Sequence, residues 1–564
     1  MSNEGRPDVA DTQIYAPHGT RRRITGGSRV IGTLAYIVAV VCLLPMLAVA
    51  LAAVTGGTET IAHLIDTVLP RYGLTTLTLV VLVAAGTFSI GVGAAWLVTM
   101  TRFPGVRILE IALVLPLAFP AYVLAYAYTY VLDHPGIVQS TLRDVTGWGP
   151  RDYWFPEIRS VGGAAVMLIL VLYPYVYLLA RAAFLQQSSA AFLAARALGS
   201  SAWSAFWKVS LPMARPAIAG GVLLAVMETI ADFGTVAYFG VQTFATGIYT
   251  SWFAMADRAA AAQLALCLLV FALFLAVAER TQRGSAKYHT AGKRHMALPP
   301  AELKGWHAVL ALVLCVTPVV LGFVLPAAIL TQMGLESQQN LLSRRYLGFL
   351  QNSITLAGTA ALITVFAAIC VGFFQRLRPG RKSSMAAYVA RLGYAVPGGV
   401  IAVGLMVPFA MFDNAFDSWM RATFDISTGL LITGSIWLLV AAYMVRFLAA
   451  ALGAYEGGQS TVHANMDAAA RSLGQTPFGT LRRVHLPILT PSLLTALLIV
   501  FVDVMKELPA TLIMRPFNYD TLAVQAYRLA SDERLEGAAV PSLVIVAVGL
   551  LPVILICRQV GRRT

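Results

Sequence analysis

Charged residues are scarce in this chain, and their scarcity decides its class. Asp, Glu, Lys and Arg together make up 12% of the 564 residues, whereas 58% are hydrophobic and the mean hydropathy is +0.73. Soluble domains carry about 25% charged residues. The composition therefore excludes an ordinary soluble protein and predicts a polytopic membrane protein.

Cysteine is also rare, and no two cysteines have a spacing that serves redox or metal chemistry. The five cysteines stand singly in apolar segments, without a CxxC pair: Cys42, Cys267, Cys315, Cys370 and Cys557. Isolated cysteines of this kind are typical of small packing residues. The pattern therefore predicts neither a redox centre nor a metal site.

A nucleotide-binding loop is missing as well. The sequence has no Gly-x-x-x-x-Gly-Lys-Ser/Thr motif, and the nearest fragment, Gly292-Lys293-Arg294, lacks both the spacing and the hydroxyl. We therefore expect that this chain binds no cofactor and does not itself hydrolyse ATP. The apolar segments also lack paired His or Ser/Lys residues, which argues against an intramembrane enzyme.

Twelve apolar segments are long enough to cross a bilayer core of about 30 Å as helices. Helices satisfy their own backbone hydrogen bonds where water is absent, so the predicted fold class is an all-α polytopic membrane protein. The predicted spans are 30–54, 73–100, 108–132, 161–180, 216–239, 259–278, 306–331, 350–373, 385–412, 429–452, 491–514 and 537–557.

Lys and Arg accumulate in three segments, which the positive-inside rule places in the cytoplasm. The loop 133–159 mixes acidic and basic residues and suits the opposite side, so each half has six spans and both chain termini are predicted to be cytoplasmic. This topology accounts for the net charge of +14 without a nucleic-acid partner. The basic residues are Arg6, Arg21, Arg22, Arg23 and Arg29, then Arg280, Arg283, Lys287, Lys293, Arg294 and Lys304, and finally Arg558, Arg562 and Arg563.

A polar module occurs twice, at an offset of 275 residues. Residues 194–212 read AARALGSSAWSAFWKVSLP, and residues 469–487 read AARSLGQTPFGTLRRVHLP. A six-span unit returns the chain to its starting side, so the two copies predict two direct six-helix repeats related by an axis along the membrane normal. The predicted divisions are a tail at 1–29, a first repeat at 30–280, a linker at 281–305 and a second repeat at 306–564.

Prolines occur at similar positions in the two halves of the chain. Pro120 and Pro397 fall within the third and ninth predicted spans, where proline predicts a kink. Pro216 and Pro491, which are 275 residues apart, are predicted to open the fifth and eleventh spans, because the first turn of a helix tolerates proline.

Five charged residues stand inside the fifth and eleventh predicted spans. Charge at that depth costs on the order of a few kcal/mol unless it meets a partner or water, so these residues are candidates for a translocation path. Lys506 is predicted to pair with Asp503, and Asp503 and Glu507 are predicted to share one helical face. A purely structural role in interhelical pairs is the alternative. The five candidates are Glu228, Asp232, Asp503, Lys506 and Glu507.

The doubled module resembles the cytoplasmic "EAA" loop of the permease subunits of bacterial ABC importers. That pattern is Glu-Ala-Ala, three residues, Gly, nine residues and Ile-x-Leu-Pro. Leu193 and Ala468 stand in place of its glutamate, and Asp467 lies one position early. The resemblance implies that these residues form ATPase-coupling loops: Ala194, Ala195, Arg196, Gly199, Leu211, Pro212, Ala469, Ala470, Arg471, Gly474, Leu486 and Pro487.

The resemblance covers nearly the whole chain and implies the type I permease fold of ABC importers in a bacterial inner membrane. It further implies a separate ATPase homodimer that uses ATP, and a periplasmic substrate-binding protein received by the loops around 133–159, 413–425 and 515–536. Among fused permeases the sequence is most similar to ferric iron importers, through residues 173–188, 505–523 and the AARSLG segment.

Other transport functions fit the same sequence features. Fused thiamine permeases share this architecture, and sulfate and polyamine permeases share it less closely. An ion-driven secondary transporter with two direct repeats is an alternative of another class, with Asp232, Asp503 and Glu507 as its coupling carboxylates.

Overall fold

The computed structural model is almost entirely helical and describes residues 26–186, 195, 197–284, 301–337, 339 and 343–561. Eleven of the helices in this part of the chain are long and apolar enough to cross a membrane, or twelve spans if one bent pair counts as a span. The all-α polytopic class predicted from composition is therefore confirmed.

In the first half, one strand and a series of long and short helices follow each other along the chain. A 3-10 turn lies at Leu115–Ala118, and π-helical turns lie at Phe206–Ser210 and Thr250–Ala254. The elements are α1 Gly26–Thr55, α2 Thr58–Thr67, α3 Leu69–Met100, β1 Thr101–Arg102, α4 Val106–Ala112, α5 Ala121–Leu132, α6 Ile137–Thr146, α7 Val161–Gln186, α8 Ala202–Ala205, α9 Leu211–Ala231, α10 Gly234–Tyr238, α11 Phe244–Tyr249 and α12 Arg258–Gly284.

The second half has a similar succession of elements. Its π-helical turns lie at Val320–Val324 and Leu481–His485, and a 3-10 turn lies at Gly393–Ala395. The elements are β2 Ala301–Glu302, α13 Trp306–Val319, α14 Leu325–Glu336, α15 Arg344–Leu377, α16 Arg381–Leu392, α17 Gly398–Phe424, α18 Ile436–Gln459, α19 Ala464–Ser472, α20 Pro477–Thr480, α21 Leu486–Met505, α22 Pro509–Met514, α23 Leu522–Ser531 and α24 Leu535–Gly561.

The first long helix of each half packs against the opposite half. Helix α1 lies against α15 and α17 of the second half, and α13 with α14 lies against α3, α4 and α5 of the first half. Both crossings need a glycine: a Cβ on Gly404 of α17 would collide with the backbone of Pro45, and one on Gly322 would lie 2.9 Å from the carbonyl oxygen of Leu170. This exchange ties the halves together within the membrane.

The linker is tied to the first half at its far end. Strands β1 and β2 pair in parallel, with Thr101 opposite Ala301 and Arg102 opposite Glu302. The backbone N–H of Leu303 donates to the carbonyl oxygen of Arg102 over 3.0 Å. The second half therefore begins beside the turn that follows α3.

Two predicted spans are interrupted at their prolines. The third, predicted as 108–132, bends by 92° between Val106–Ala118 and Ala121–Thr146, and Pro120 caps α5. The ninth, predicted as 385–412, is divided at Pro397 into α16 and α17. Proline has no N–H to continue the helical hydrogen bonds, so each kink is a complete break.

The fifth and eleventh spans were predicted too far along the chain. Helices α9 and α21 begin at Leu211 and Leu486, five residues before Pro216 and Pro491, so these two prolines lie inside the helices. Both helices also end early, at Ala231 and Met505, whereas 216–239 and 491–514 were predicted. The two helices begin earlier than predicted because π-helical turns join them directly to the polar modules.

The tenth span also begins later than predicted, at Ile436 rather than 429. Two carboxylates of α17 hold the preceding loop out of the helix. Asp417 accepts the backbone N–H groups of Thr428 and Gly429, and Asp413 accepts those of Ile432 and Thr433. Such side-chain bonds compete with helix formation.

Replacing Gly404 with alanine tests the helix exchange. The added Cβ would collide with the backbone of Pro45 in α1, so we expect Gly404→Ala to destabilise the protein by about 1–3 kcal/mol. Gly453→Ala is the matched control, because Gly453 lies in α18 with open space around it. Thermal unfolding in detergent measures both, and equal midpoints would show that the α1–α17 contact does not constrain the fold.

Candidate functional site

A cavity of about 160 Å³ lies between the two halves, beside the ends of α9 and α21. Its lining includes all five ionisable residues predicted as path candidates, together with an arginine of α18 that the sequence analysis did not single out. These charged residues are Glu228, Asp232, Arg446, Asp503, Lys506 and Glu507. The repeat thus brings the charged ends of two equivalent helices together.

Asp232 caps the short helix α10. Its Oδ1 accepts the backbone N–H groups of Thr235 and Val236 at 3.1 and 3.2 Å, and its Oδ2 accepts the Thr235 hydroxyl at 3.1 Å. A carboxylate at a helix N-terminus satisfies N–H groups that lack helical partners. These contacts support the structural interpretation for Asp232.

Glu507 has the same role at the N-terminus of α22. Its carboxylate accepts the N–H of Ala510 at 3.0 Å, and the N–H and hydroxyl of Thr511 at 3.1 and 2.8 Å. Glu507 does not share a helical face with Asp503 as predicted, because α21 ends at Met505. Pro509 lies two residues after Glu507, so the helix is interrupted here and a new helix, α22, begins at Pro509.

Arg446 approaches Glu507 from α18. Its Nη1 lies 4.0 Å from Oε1 of Glu507 and, among the described residues, has no hydrogen-bond partner. Gly398 makes room for this approach, since a Cβ there would lie 2.6 Å from both groups. Arg446 stood within the predicted tenth span, and its charge at that depth was the signal that could have identified it.

Glu228 and Asp503, which are repeat counterparts, have different partners. Asp503 pairs with Lys506 at 2.9 Å, the contact predicted from their spacing. The hydroxyl of Tyr394 donates to Oε1 of Glu228 over 3.2 Å, and Tyr175 also lines the cavity. When fully ionised, the cavity has four carboxylates against two cations, a formal charge of −2.

The two polar modules bend at their glycines. Gly199 and Gly474 have φ of 86° and 76°, in the left-handed region that favours glycine, and a Cβ at either would meet nothing within 4 Å. In the second module α19 contains Ala469, Ala470 and Arg471 and ends just before Gly474. Of the predicted coupling residues, Ala194 and Arg196 lie outside the described residues.

Of the remaining predicted coupling residues, Ala195 accepts the backbone N–H of Ser200 over 3.0 Å, and the other four begin two long helices. Leu211 and Pro212 form the first positions of α9, and Leu486 and Pro487 form those of α21. Each module also exposes a leucine that was not singled out as a site residue: Leu198 is 87% exposed and Leu473 is 79% exposed. The signal for these was their matched position before each glycine.

Asp467, which lies one position before the expected glutamate, bonds to its own chain. It contacts Nε of Arg376 and Nε2 of His485, each at 2.7 Å, and Arg376 also donates to the carbonyl oxygen of Val462. Partial burial raises the pKa of Asp467, but the bonds to Arg376 and His485 outweigh it and hold this pKa below the ordinary value. The second module is thereby fixed to the end of α15.

Comparison with known proteins identifies the family. Residues 87–283 and 365–564 match the family described as "Binding-protein-dependent transport system inner membrane component". The chain is 25% identical over 495 residues to the Fe(3+)-transport system permease protein FbpB 2 of Haemophilus influenzae, covering 85% of this chain and 88% of that protein.

Two further relatives are named for ferric and for sulfate transport. The Ferric transport system permease protein FbpB of Actinobacillus pleuropneumoniae is 23% identical, and the match covers 78% of this chain and 64% of that protein. The Probable sulfate transport system permease protein cysT of Chlorokybus atmophyticus is 32% identical, over 26% of this chain and 48% of that protein.

The family match occurs twice and covers well over half of the chain, in agreement with the duplicated helices around the cavity. Members of this family are transport permeases rather than enzymes, and the family implies a substrate-binding protein and an ATPase as partners. The chain belongs to the binding-protein-dependent inner membrane component family and is a multi-pass inner-membrane permease of an ABC transport system.

Proposed function

We propose that this permease imports ferric iron, delivered by a periplasmic binding protein. Three relatives named for Fe(3+) or ferric transport match 71–85% of the chain. Relatives named for sulfate or 2-aminoethylphosphonate transport match only 26–35% of it. The breadth of the ferric matches, over both halves, supports this substrate.

The charge of the cavity is the observation that carries the proposal. An excess of carboxylates attracts cations and repels anions such as sulfate. Carboxylate and phenol oxygens, as on Glu228 and Tyr394, are also ligand types that suit hard cations. We propose that iron passes this cavity as cargo and is not retained there.

Coupling to the ATPase is proposed to pass through the two modules, which we place in the cytoplasm together with both chain termini. An exposed leucine and a left-handed glycine in each module provide an apolar contact on a bent segment. Closure of an ATPase homodimer beneath them would move the halves, so that the cavity opens to each side in turn.

Reconstitution with the cognate ATPase and binding protein tests this function. We expect proteoliposomes to accumulate ferric iron only with ATP, in preference to sulfate, thiamine or polyamines, because the cavity favours a small cation. Preferred uptake of another substrate would overturn the iron assignment. Uptake driven by a proton or sodium gradient without ATP would overturn the coupling mechanism.

Valine at Gly199 and Gly474 tests the coupling modules. A β-branched residue with positive φ is strained by about 1–2 kcal/mol, so the module would lose its bend. We expect the double variant to insert normally but to lose uptake and substrate-stimulated ATP hydrolysis. Gly453→Val is the control, since Gly453 lies in open space on α18. Retained uptake in the double variant would contradict the assignment.

A further inference from the structure

An arginine of the first half holds a glutamate of the second half at the end of the molecule opposite the modules. Arg159 donates to both carboxylate oxygens of Glu533, through Nη1 at 2.8 Å and Nη2 at 2.9 Å. Its Nε donates to Asp133 at 3.0 Å, and the guanidinium lies 5.2 Å from the centre of the Tyr238 ring. Arg159 therefore binds Asp133 and Glu533 at the same time, through Nε, Nη1 and Nη2.

The position of the pair follows from the helices on either side. Arg159 lies two residues before the start of α7, which runs toward the first module, and Asp133 follows the last residue of α5. Glu533 stands in the short turn between α23 and α24, and α24 runs back to the C-terminus. The pair thus bridges the two halves at the face we assign to the periplasm.

Glu533 occupies a backbone position where glycine would be unstrained. Its φ is 57°, and it follows α23 in a turn closed by hydrogen bonds from Glu533 N to Ala530 O and from Arg534 N to Leu529 O. Glycine is the usual residue at such a helix end, and other residues there are strained. A glutamate at this position indicates that its carboxylate has a use, and Arg159 is the partner that it reaches.

The pair has no equivalent on the other side of the repeat. The counterparts of Arg159 and Glu533, at an offset of 275, are Gly434 and Arg258. Within the part of the chain that the structure describes, Arg258 is exposed and forms no ion pair. Of the two positions related by the repeat, only the one with Arg159 and Glu533 joins the halves by a bidentate ion pair.

We propose that Arg159 and Glu533 form a latch that keeps the periplasmic side of the path closed until the halves are driven apart. The inference rests on the proposed function, because it requires the halves to separate at this face during transport. Asp133 keeps Arg159 oriented when Glu533 leaves, so the pair can form again. A bidentate pair suits this role because it is directional and solvent-accessible.

Access to the cavity from outside the cell membrane tests the latch. Met227 lines the cavity and is replaced by cysteine in a chain whose five native cysteines have been removed. In spheroplasts, the rate at which a charged, membrane-impermeant methanethiosulfonate labels this cysteine reports access to the cavity from outside. We expect Glu533→Gln and Glu533→Gly to raise the labelling rate about fivefold, as loss of roughly 1 kcal/mol predicts. Glu533→Gly also relieves the strain of the positive φ. Faster labelling of this variant therefore cannot be explained by misfolding.

Arg421→Gln is the matched control, because it breaks an ion pair with Asp417 within α17 and leaves the contact between the halves intact. Its labelling rate should equal that of the parent. Parental labelling in either Glu533 variant, or an equal rise in Arg421→Gln, would overturn the latch. Labelling needs neither substrate nor ATP, so this result is separate from the uptake test of the proposed function.

Discussion

The cost of placing charge inside a membrane shapes the interface between the two halves. Six ionisable side chains line one cavity, and each half stops a long helix there so that a carboxylate can accept the first N–H groups of a short helix. Asp232 and Glu507 are stabilised in this way, as anions are at helix N-termini. The helix breaks, the cavity and its polarity are consequences of this one arrangement.

The two halves repeat the caps but not the cations. Arg446 and Lys506 correspond, at the offset of 275, to Val171 and Ala231, which also line the cavity. Both positive charges therefore come from the second half, where they meet Glu507 and Asp503. Among the described residues the Tyr394 hydroxyl is the one hydrogen-bond partner of Glu228, so this carboxylate makes fewer hydrogen bonds than Asp232 or Glu507.

Hydropathy and the repeat predicted the membrane class, most of the spans and five of the six charged residues that line the cavity, because those features follow from local composition. The helix ends at Ala231 and Met505 could not be placed in this way, since they depend on caps from residues further along the chain. The packing of α1 and α13 on opposite halves was also beyond reach, because apolar periodicity does not identify a partner. Arg446 was visible in the sequence, but Gly398, which makes its approach to Glu507 possible, was not.

The central claim is that the cavity is the transport path, and Glu228→Gln tests it most directly. The amide keeps an acceptor for Tyr394, so the account predicts an unchanged unfolding temperature and a roughly tenfold loss of ATP-driven uptake. Glu302→Gln, on an exposed strand, is the control, and Glu507→Gln should instead lower the unfolding temperature because that carboxylate caps α22. Parental uptake by a normally folded Glu228→Gln permease would contradict the account.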